Sequence, residues 1–196
     1  MSLKMPEKIR SDRIVLVRPY PPTFELAKEF FAKVESSRNT LRDWLPWVDR
    51  TKTPEDEFSG WMINWCKKNW EEGIGFAYII RDKKTHAILG AIDLMDYKEK
   101  HKSAEIGYWL SDDAVGYGYM AEAVRALESE AFKRGLNRVI IGCDVENRRS
   151  GNVPKRCGYH LEGVLRLARW DERWQSFRND QVWSKLKSDW LAEQKK

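Results

Sequence analysis

Residues 103–145 read SAEIGYWLSDDAVGYGYMAEAVRALESEAFKRGLNRVIIGCDV, and this stretch decides the fold. Residues 103–110 form a strand-like run. Two alternating glycines, Gly116 and Gly118, follow. Residues 118–134 then place Met120, Val124, Leu127 and Ala131 on one helical face, and Gly135 stops the helix. Residues 138–145 form a second apolar run. Strand, glycine turn, helix, strand is a βαβ unit, so the two strands should be parallel with a right-handed crossover. The first amides of the helix have no partner within it, and the helix dipole adds to their pull on an anion such as a pyrophosphate. The alternative is a plain tight turn. The segment is neither a P-loop, lacking GK[ST], nor a dinucleotide fingerprint, lacking a third glycine.

Outward from this unit, residues 13–18 should form a first strand and 24–34 a helix with Phe24, Ala27, Phe31 and Val34 on one face. Thr53-Pro54-Glu55-Asp56 is a helix start, and Phe58, Trp61, Met62 and Trp65 continue it at i, i+3, i+4, i+7 until Gly73 and Gly75. Residues 75–81 and 87–95 are strands joined to 103–110 as antiparallel hairpins. On the other side, 153–157 reads as a short helix, 159–168 and 177–186 as closing strands, and 188–196 as a frayed helix. The order β-α-α-β-β-β-α-β-α-β-β implies a mixed sheet with helices on its faces, an α/β or α+β sandwich. No repeat, linker or low-complexity tract divides the chain, so residues 1–196 are expected to form one domain.

The chain has 196 residues, 42% of them hydrophobic, with 35 basic and 30 acidic side chains and a net charge of +5. That apolar content is too high for a disordered chain. No apolar run approaches a membrane span, and the N-terminus lacks a signal-peptide core. The basic points, residues 98–102, Arg148-Arg149 and Lys195-Lys196, read as solvated surface without aromatic stacking platforms. No nucleic-acid or membrane partner is expected. Three cysteines (Cys66, Cys143, Cys157) and three histidines (His86, His101, His160) show no metal-ligand spacing. The expectation is no metal, a reducing cytoplasmic compartment, and burial for Cys143 and Cys157.

The stretches EIGYWL…VGYGYMAEAVRAL, NRVIIGCDVENRRSGNVPKRCGYHLEGVLR and NTLRDWLPWV together resemble the GNAT superfamily. Within it the chain is similar to the RimJ/RimL-type N-acetyltransferases, which acetylate N-terminal amines of ribosomal proteins. The resemblance runs over about residues 10–187. It implies a mostly antiparallel sheet with one splayed parallel pair, and acetyl-CoA as cofactor. The pyrophosphate would sit on Val115, Gly116, Tyr117, Gly118, Tyr119 and Met120. The pantetheine arm would run along Tyr108, Trp109 and Leu110, hydrogen-bonded by Asn147, with Arg156 near the nucleotide end. Ser150 matches the position proposed as general acid. Trp44 and Trp47 fall in the region that covers the acceptor, with Arg42 a partner for an acceptor carboxylate. Trp61 and Trp65, at helical spacing, read as core. A homodimer is a habit of the family. Two positions depart from the pattern: Val115 stands where Gln or Arg begins the phosphate motif, and Arg169 where ribosomal-type members place a glutamate.

An amine must be neutral to attack a thioester. An α-amine of pKa about 8 is roughly 10% neutral at pH 7, a lysine amine only about 0.04%. An N-terminal acceptor, a protein or peptide end, therefore asks little of a base. Glu105, in the strand leading to the glycine turn, is the candidate base acting through water, with Asp93 on the neighbouring strand a second. No GxSxG elbow or matching histidine is present, which favours direct transfer over an acyl-enzyme. Two alternatives stay open: a small-amine acceptor such as an aminoacyl compound or polyamine, and a CoA-binding regulatory module without catalysis.

Overall fold

The computed structural model describes residues 3–195; Lys196, at the end of the expected basic tail, lies outside them. Strands β1 (Lys8–Arg10) and β2 (Ile14–Val17) come first. Helices α1 (Phe24–Ser36) and α2 (Arg38–Leu41) and a single-turn 3₁₀ segment, Pro46–Asp49, follow. Then α3 (Pro54–Asp56), a π-helix (Glu57–Lys67) and α4 (Lys68–Glu72) run on end to end. The centre of the chain is β3 (Phe76–Asp82), β4 (Ile88–Lys98), β5 (Ser103–Leu110), α5 (Tyr119–Lys133) and β6 (Arg138–Asp144). The chain continues through α6 (Arg148–Arg156), β7 (His160–Asp171), β8 (Ser176–Leu186) and α7 (Lys187–Glu193).

The strands form one sheet in the order β1-β2-β3-β4-β5-β6-β8-β7. Every neighbouring pair is antiparallel except β5 and β6. The fold is the mixed sheet expected, with apolar cores on both faces. One packs β2, β3, β4 and β5 through Leu16, Tyr78, Ile92 and Ile106 against Val124, Leu127 and Phe132 of α5. The other packs Ile79, Ala91 and Trp109 against Ala27, Phe30 and Val34 of α1 and Met62 of the π-helix. Central strand β3 is buried on both faces, as alternation predicts for a strand between two helical layers.

Four local expectations are corrected. β1 was not anticipated, because three residues cannot display an alternation; its pairing with β2 defines it. The buried aromatic of α1 is Phe30, and Phe31 is only half-buried. Helix α6 begins at Arg148, five residues before its expected start, because the Asn147 side chain caps it, accepting from the Ser150 N–H at 3.0 Å. Residues 57–67 wind as a π-helix, so its buried side chains are Glu57, Met62 and Cys66 rather than the α-helical set. Among the described residues no helix is long and apolar enough to cross a membrane.

Candidate active site

The parallel pair pairs at only three positions, Ser103 with Arg138, Ala104 with Val139 and Glu105 with Ile140. Beyond Glu105 the strands are not paired with each other. β5 continues on β4 to Leu110 and β6 continues on β8 to Asp144. The edge of β5 from Gly107 to Leu110 therefore faces an opening in the middle of the sheet. Both segments singled out in the sequence lie at this end: the glycine turn after β5 and the Asn147 turn after β6.

The glycine turn is left-handed at two points, with φ +96° at Gly116 and +80° at Gly118. Gly118 is the N-cap of α5, and the first closed helical bond runs from the Glu122 N–H to the Gly118 carbonyl. Arg13, just before β2, braces the turn. Its guanidinium donates to the Tyr117 carbonyl at 2.8 Å, pairs with Glu122 at 2.7 Å and lies over the Tyr119 ring. Partial burial pushes the Glu122 carboxyl upward, but the Arg13 hydrogen bonds and charge hold it below the usual range.

A cleft of about 630 Å³ runs from this turn to the Asn147 turn. Val115, Gly116, Gly118, Met120, Tyr108, Trp109, Leu110, Asn147, Ser150 and Arg156 line it, as does Trp44. Tyr117 and Tyr119 do not; their rings pack on each other outside it, so only their backbone belongs to the turn. Arg148 and Arg149, read as solvated surface, also line the cleft and put two more cations beside Arg156.

Ser150 and Tyr108 join across the opening. The Tyr108 hydroxyl donates to the Ser150 carbonyl at 3.0 Å, and the Ser150 hydroxyl donates to Tyr108 Oη at 3.3 Å. Burial pushes the Tyr108 phenol well up, so it keeps its proton at neutral pH. Asn147 spends its Oδ1 on capping α6, which leaves its Nδ2 as a donor. Cys143 is half-buried rather than buried, because β6 has lost its β5 partner at that height.

A second cavity, about 610 Å³, lies on the α1 face and shares Leu45, Tyr108 and Trp109 with the cleft. Its walls are aromatic: Phe30, Trp47, Trp61, Trp65 and Trp109. Trp61 stacks on Phe30 with centroids 4.4 Å apart. Trp61 and Trp65, expected in the core, are half-buried and line this cavity; Trp61 also packs against the α1-face core, while Trp65 is not part of it. Gly107, the register partner of Asp93 on β4, has the Met95 side chain packed over it, with Met95 Cε against the point where a Cβ would stand.

Three acidic side chains line this cavity, Asp56, Glu57 and Asp93. Asp93 Oδ1 and Glu57 Oε1 are buried without a hydrogen-bond partner among the described residues. Burial pushes Asp93 up to about 7. Burial also carries Glu57 to about 7, with the Arg38 charge pulling against it. Glu57 escaped the sequence reading because an acid in a first helical turn looks like an ordinary dipole partner.

The remaining expected residues lie elsewhere. Glu105 lines neither cavity; it sits where β5 and β6 are still paired, with Oε1 3.3 Å from the point a Gly142 Cβ would occupy. Its carboxyl is raised, first by burial and then by the Asp96 charge. Arg42 pairs with Asp49 at 3.1 Å and lines neither cavity, so the expected contact with an acceptor carboxylate has no place there. Arg169 contacts Asp144 at 2.8 Å, Asp171 at 3.2 Å and Asp180 at 3.1 Å. Asp144 also takes Arg178 and the Glu146 N–H, so this network ties the hairpin β7–β8 to the turn carrying Asn147 and Ser150.

Residues 15–160 match the family model described as an acetyltransferase (GNAT) domain, about three quarters of the chain. The chain belongs to the GNAT acetyltransferase family. Within that family its similarity is to the RimJ/RimL type. It is 36% identical over 95 residues to the ribosomal-protein-serine acetyltransferase of Escherichia coli (strain K12), a stretch covering 48% of this chain and 53% of that protein. The chain thus matches about half the length of that relative. Among solved structures, the microcin C7 self-immunity acetyltransferase MccE, in complex with acetyl-CoA and AMP, superposes with a TM-score of 0.81. It is 25% identical and the match covers 90% of this chain and 93% of that one. The RimL ribosomal L7/L12 α-N-protein acetyltransferase, in complex with coenzyme A, has a TM-score of 0.82 at 21% identity, over 92% and 98% of the two chains, a likeness of fold.

Proposed function

We propose that this protein is an acetyl-CoA-dependent N-acetyltransferase that passes the acetyl group directly to an amine, with a protein or peptide N-terminus as the acceptor class. One observation carries this reading: two cavities, the cleft and the aromatic cavity, meet at Leu45, Tyr108 and Trp109, beside the strand edge that the β5–β6 splay leaves open. A donor and an acceptor approaching from the two sides would meet there. The residues of the cleft fit acetyl-CoA. Left-handed Gly116 and Gly118 let phosphates approach the first amides of α5, and Arg148, Arg149 and Arg156 add positive charge. Val115 brings no side-chain donor, so backbone amides would carry the phosphate contact. The free edge of β5 would take the amide arm as an added strand.

Acetyl-CoA supplies an acetyl group activated as a thioester. Backbone N–H groups on the open edge of β5 would stabilise charge on the carbonyl oxygen, a contribution expected to be large in a partly dry site. Ser150 would give up a proton to the leaving side and be held in place by Tyr108. Asp93 would take the proton from the amine. Geometry favours it over Glu105, since Asp93 faces the acceptor cavity and Glu105 does not. Arg169 would act by position, locking the Asn147–Ser150 turn onto the hairpin.

Calorimetric titration with acetyl-CoA, followed by free-thiol release with N-terminal peptides, tests the reading. One site per chain near micromolar, with thiol release dependent on an amine, is the expected result. Binding without turnover on any amine would make it a CoA-binding module instead. A homodimer is also proposed, on the exposed apolar side chains of the β7–β8 hairpin, Leu165, Leu167, Trp170 and Phe177. Sedimentation velocity gives the answer.

A further inference from the structure

The acceptor cavity combines two features that seldom occur together. Its walls are aromatic, and its polar groups include a carboxylate that is nearly sealed from water. Glu57 is 2% exposed, and its Oε1 has no hydrogen-bond partner among the described residues. A buried carboxylate with an unused oxygen carries a desolvation cost that a structural role does not explain. Substitution of such a group by an apolar one of similar size would serve packing better. Its neighbours do not neutralise it. Arg38 spends its guanidinium on the Val48 and Thr51 carbonyls and on Glu35. Asp56 is held by the Lys52 and Thr53 N–H groups, and Arg50 stands exposed at the rim.

We propose that Glu57 and the aromatic walls of this cavity form a recognition site for a primary ammonium carried on an apolar or aromatic body with no carboxylate beside the amine. The ammonium would complete the hydrogen bonding of Glu57 and gain cation–π attraction from the tryptophan faces. Its apolar body would fill the space between Trp61, Trp65 and Trp109. A carboxylate next to the amine would be forced against Asp93 and Glu57, an electrostatic clash in a poorly solvated site. A cavity of about 610 Å³ has the size of a small-molecule site. The same chemistry is offered by a free arylalkylamine and by the first residue of a peptide.

This inference rests on the acetyltransferase reading for its turnover arms, while the amine-binding arm of its test stands apart from it. The full chain is titrated with phenethylamine, 2-phenylethanol and phenylalanine, with and without CoA, and thiol release from acetyl-CoA is followed with the same compounds and with a Phe-Gly-Gly amide. Phenethylamine should bind at least tenfold more tightly than the alcohol, and phenylalanine should be at least tenfold poorer in kcat/KM. Glu57→Gln should raise KM for phenethylamine about tenfold, keep kcat within a few-fold and leave acetyl-CoA affinity unchanged. The faster of phenethylamine and the peptide amide names the source of the amine, and either supports the site. Equal binding of amine and alcohol by the wild-type protein overturns the inference without need of a variant. So does an unchanged KM in a folded Glu57→Gln protein. Loss of acetyl-CoA binding with amine binding intact would instead remove the acetyltransferase reading and leave the ammonium site standing.

Discussion

The two cavities that meet at Tyr108 were built by different means. The cleft is made by short runs of neighbouring residues, 39–45, 108–121 and 146–156. Gly116 and Gly118 set the turn, α5 starts at once, and Asn147 caps α6 three residues before Ser150. In the proposed reading its chemistry joins backbone groups, the amides of the glycine turn and a strand edge, to the side chains of Asn147, Ser150 and the three arginines. The acceptor cavity is made by side chains from α1, the 46–49 turn, the π-helix, β4 and β5, and its polar groups are buried carboxylates. A site made of backbone is expected to tolerate side-chain change, which is how Val115 would be accommodated. A site made of converging side chains sets specificity and can be lost by one substitution.

The largest contrast should come from the acceptor side. Asp93→Asn is expected to lower kcat/KM about a hundredfold, within the usual range for a lost general base, and to leave acetyl-CoA affinity as it was. Glu105→Gln should cost only a few-fold. A larger loss from Glu105→Gln than from Asp93→Asn in steady-state rates would return the base to β5. On the cofactor side, Gly118→Val forces a β-branched residue to φ +80°. The nearest atom to an added Cβ is Arg13 Nη2 at 3.7 Å, so backbone strain rather than crowding is the cause. Strain of about 1–2 kcal/mol corresponds to roughly tenfold weaker acetyl-CoA binding by calorimetry, with the amine KM unchanged. Ser150→Ala should reduce kcat about tenfold or less, because thiolate is a tolerable leaving group and Tyr108 stays in place.

The smallest effect is on stability, and its sign is diagnostic. Burial raises the carboxyls of Asp93 and Glu57 from 3.8 and 4.5 to about 7. Between about pH 4 and 7 the folded chain keeps these protons and the unfolded chain releases them. Their contribution is thus fully present below pH 4 and lost as pH rises through 7. Asp93→Asn and Glu57→Gln should therefore melt a few degrees above the wild type at pH 8 and level with it at pH 4, read by calorimetric scanning. Variants that melt lower at pH 8 would mean that these carboxylates hold the fold together.

Much of the fold was legible because its signals are local. The glycine turn, the helix after it and the strands on each side were read at nearly their observed bounds, since 3.6- and 2-residue periods and left-handed glycines act over a few residues. β1 was not legible, because three residues carry no period. The start of α6 was hidden by the polar run Asn147-Arg148-Arg149-Ser150, whose cap is a single hydrogen bond. In the site, Ser150, Asn147, Gly116 and Gly118 could be singled out from the chain. Glu57 could not, because its burial depends on everything packed around it; Arg42 pairs with Asp49 and lines neither cavity.

By itself, the sequence determined the order of elements, the parallel unit around residues 103–145 and the turn at which an anion can meet free amides. These follow from backbone geometry, which each short segment settles for itself. Only the tertiary structure decided how far β5 and β6 stay together, that Trp61 and Trp65 wall a cavity, and that one carboxyl oxygen each of Asp93 and Glu57 is buried without a partner among the described residues. Burial is a property of everything packed around a group, and it turns an ordinary acid on a strand or in a first helical turn into one that still holds its proton near neutral pH.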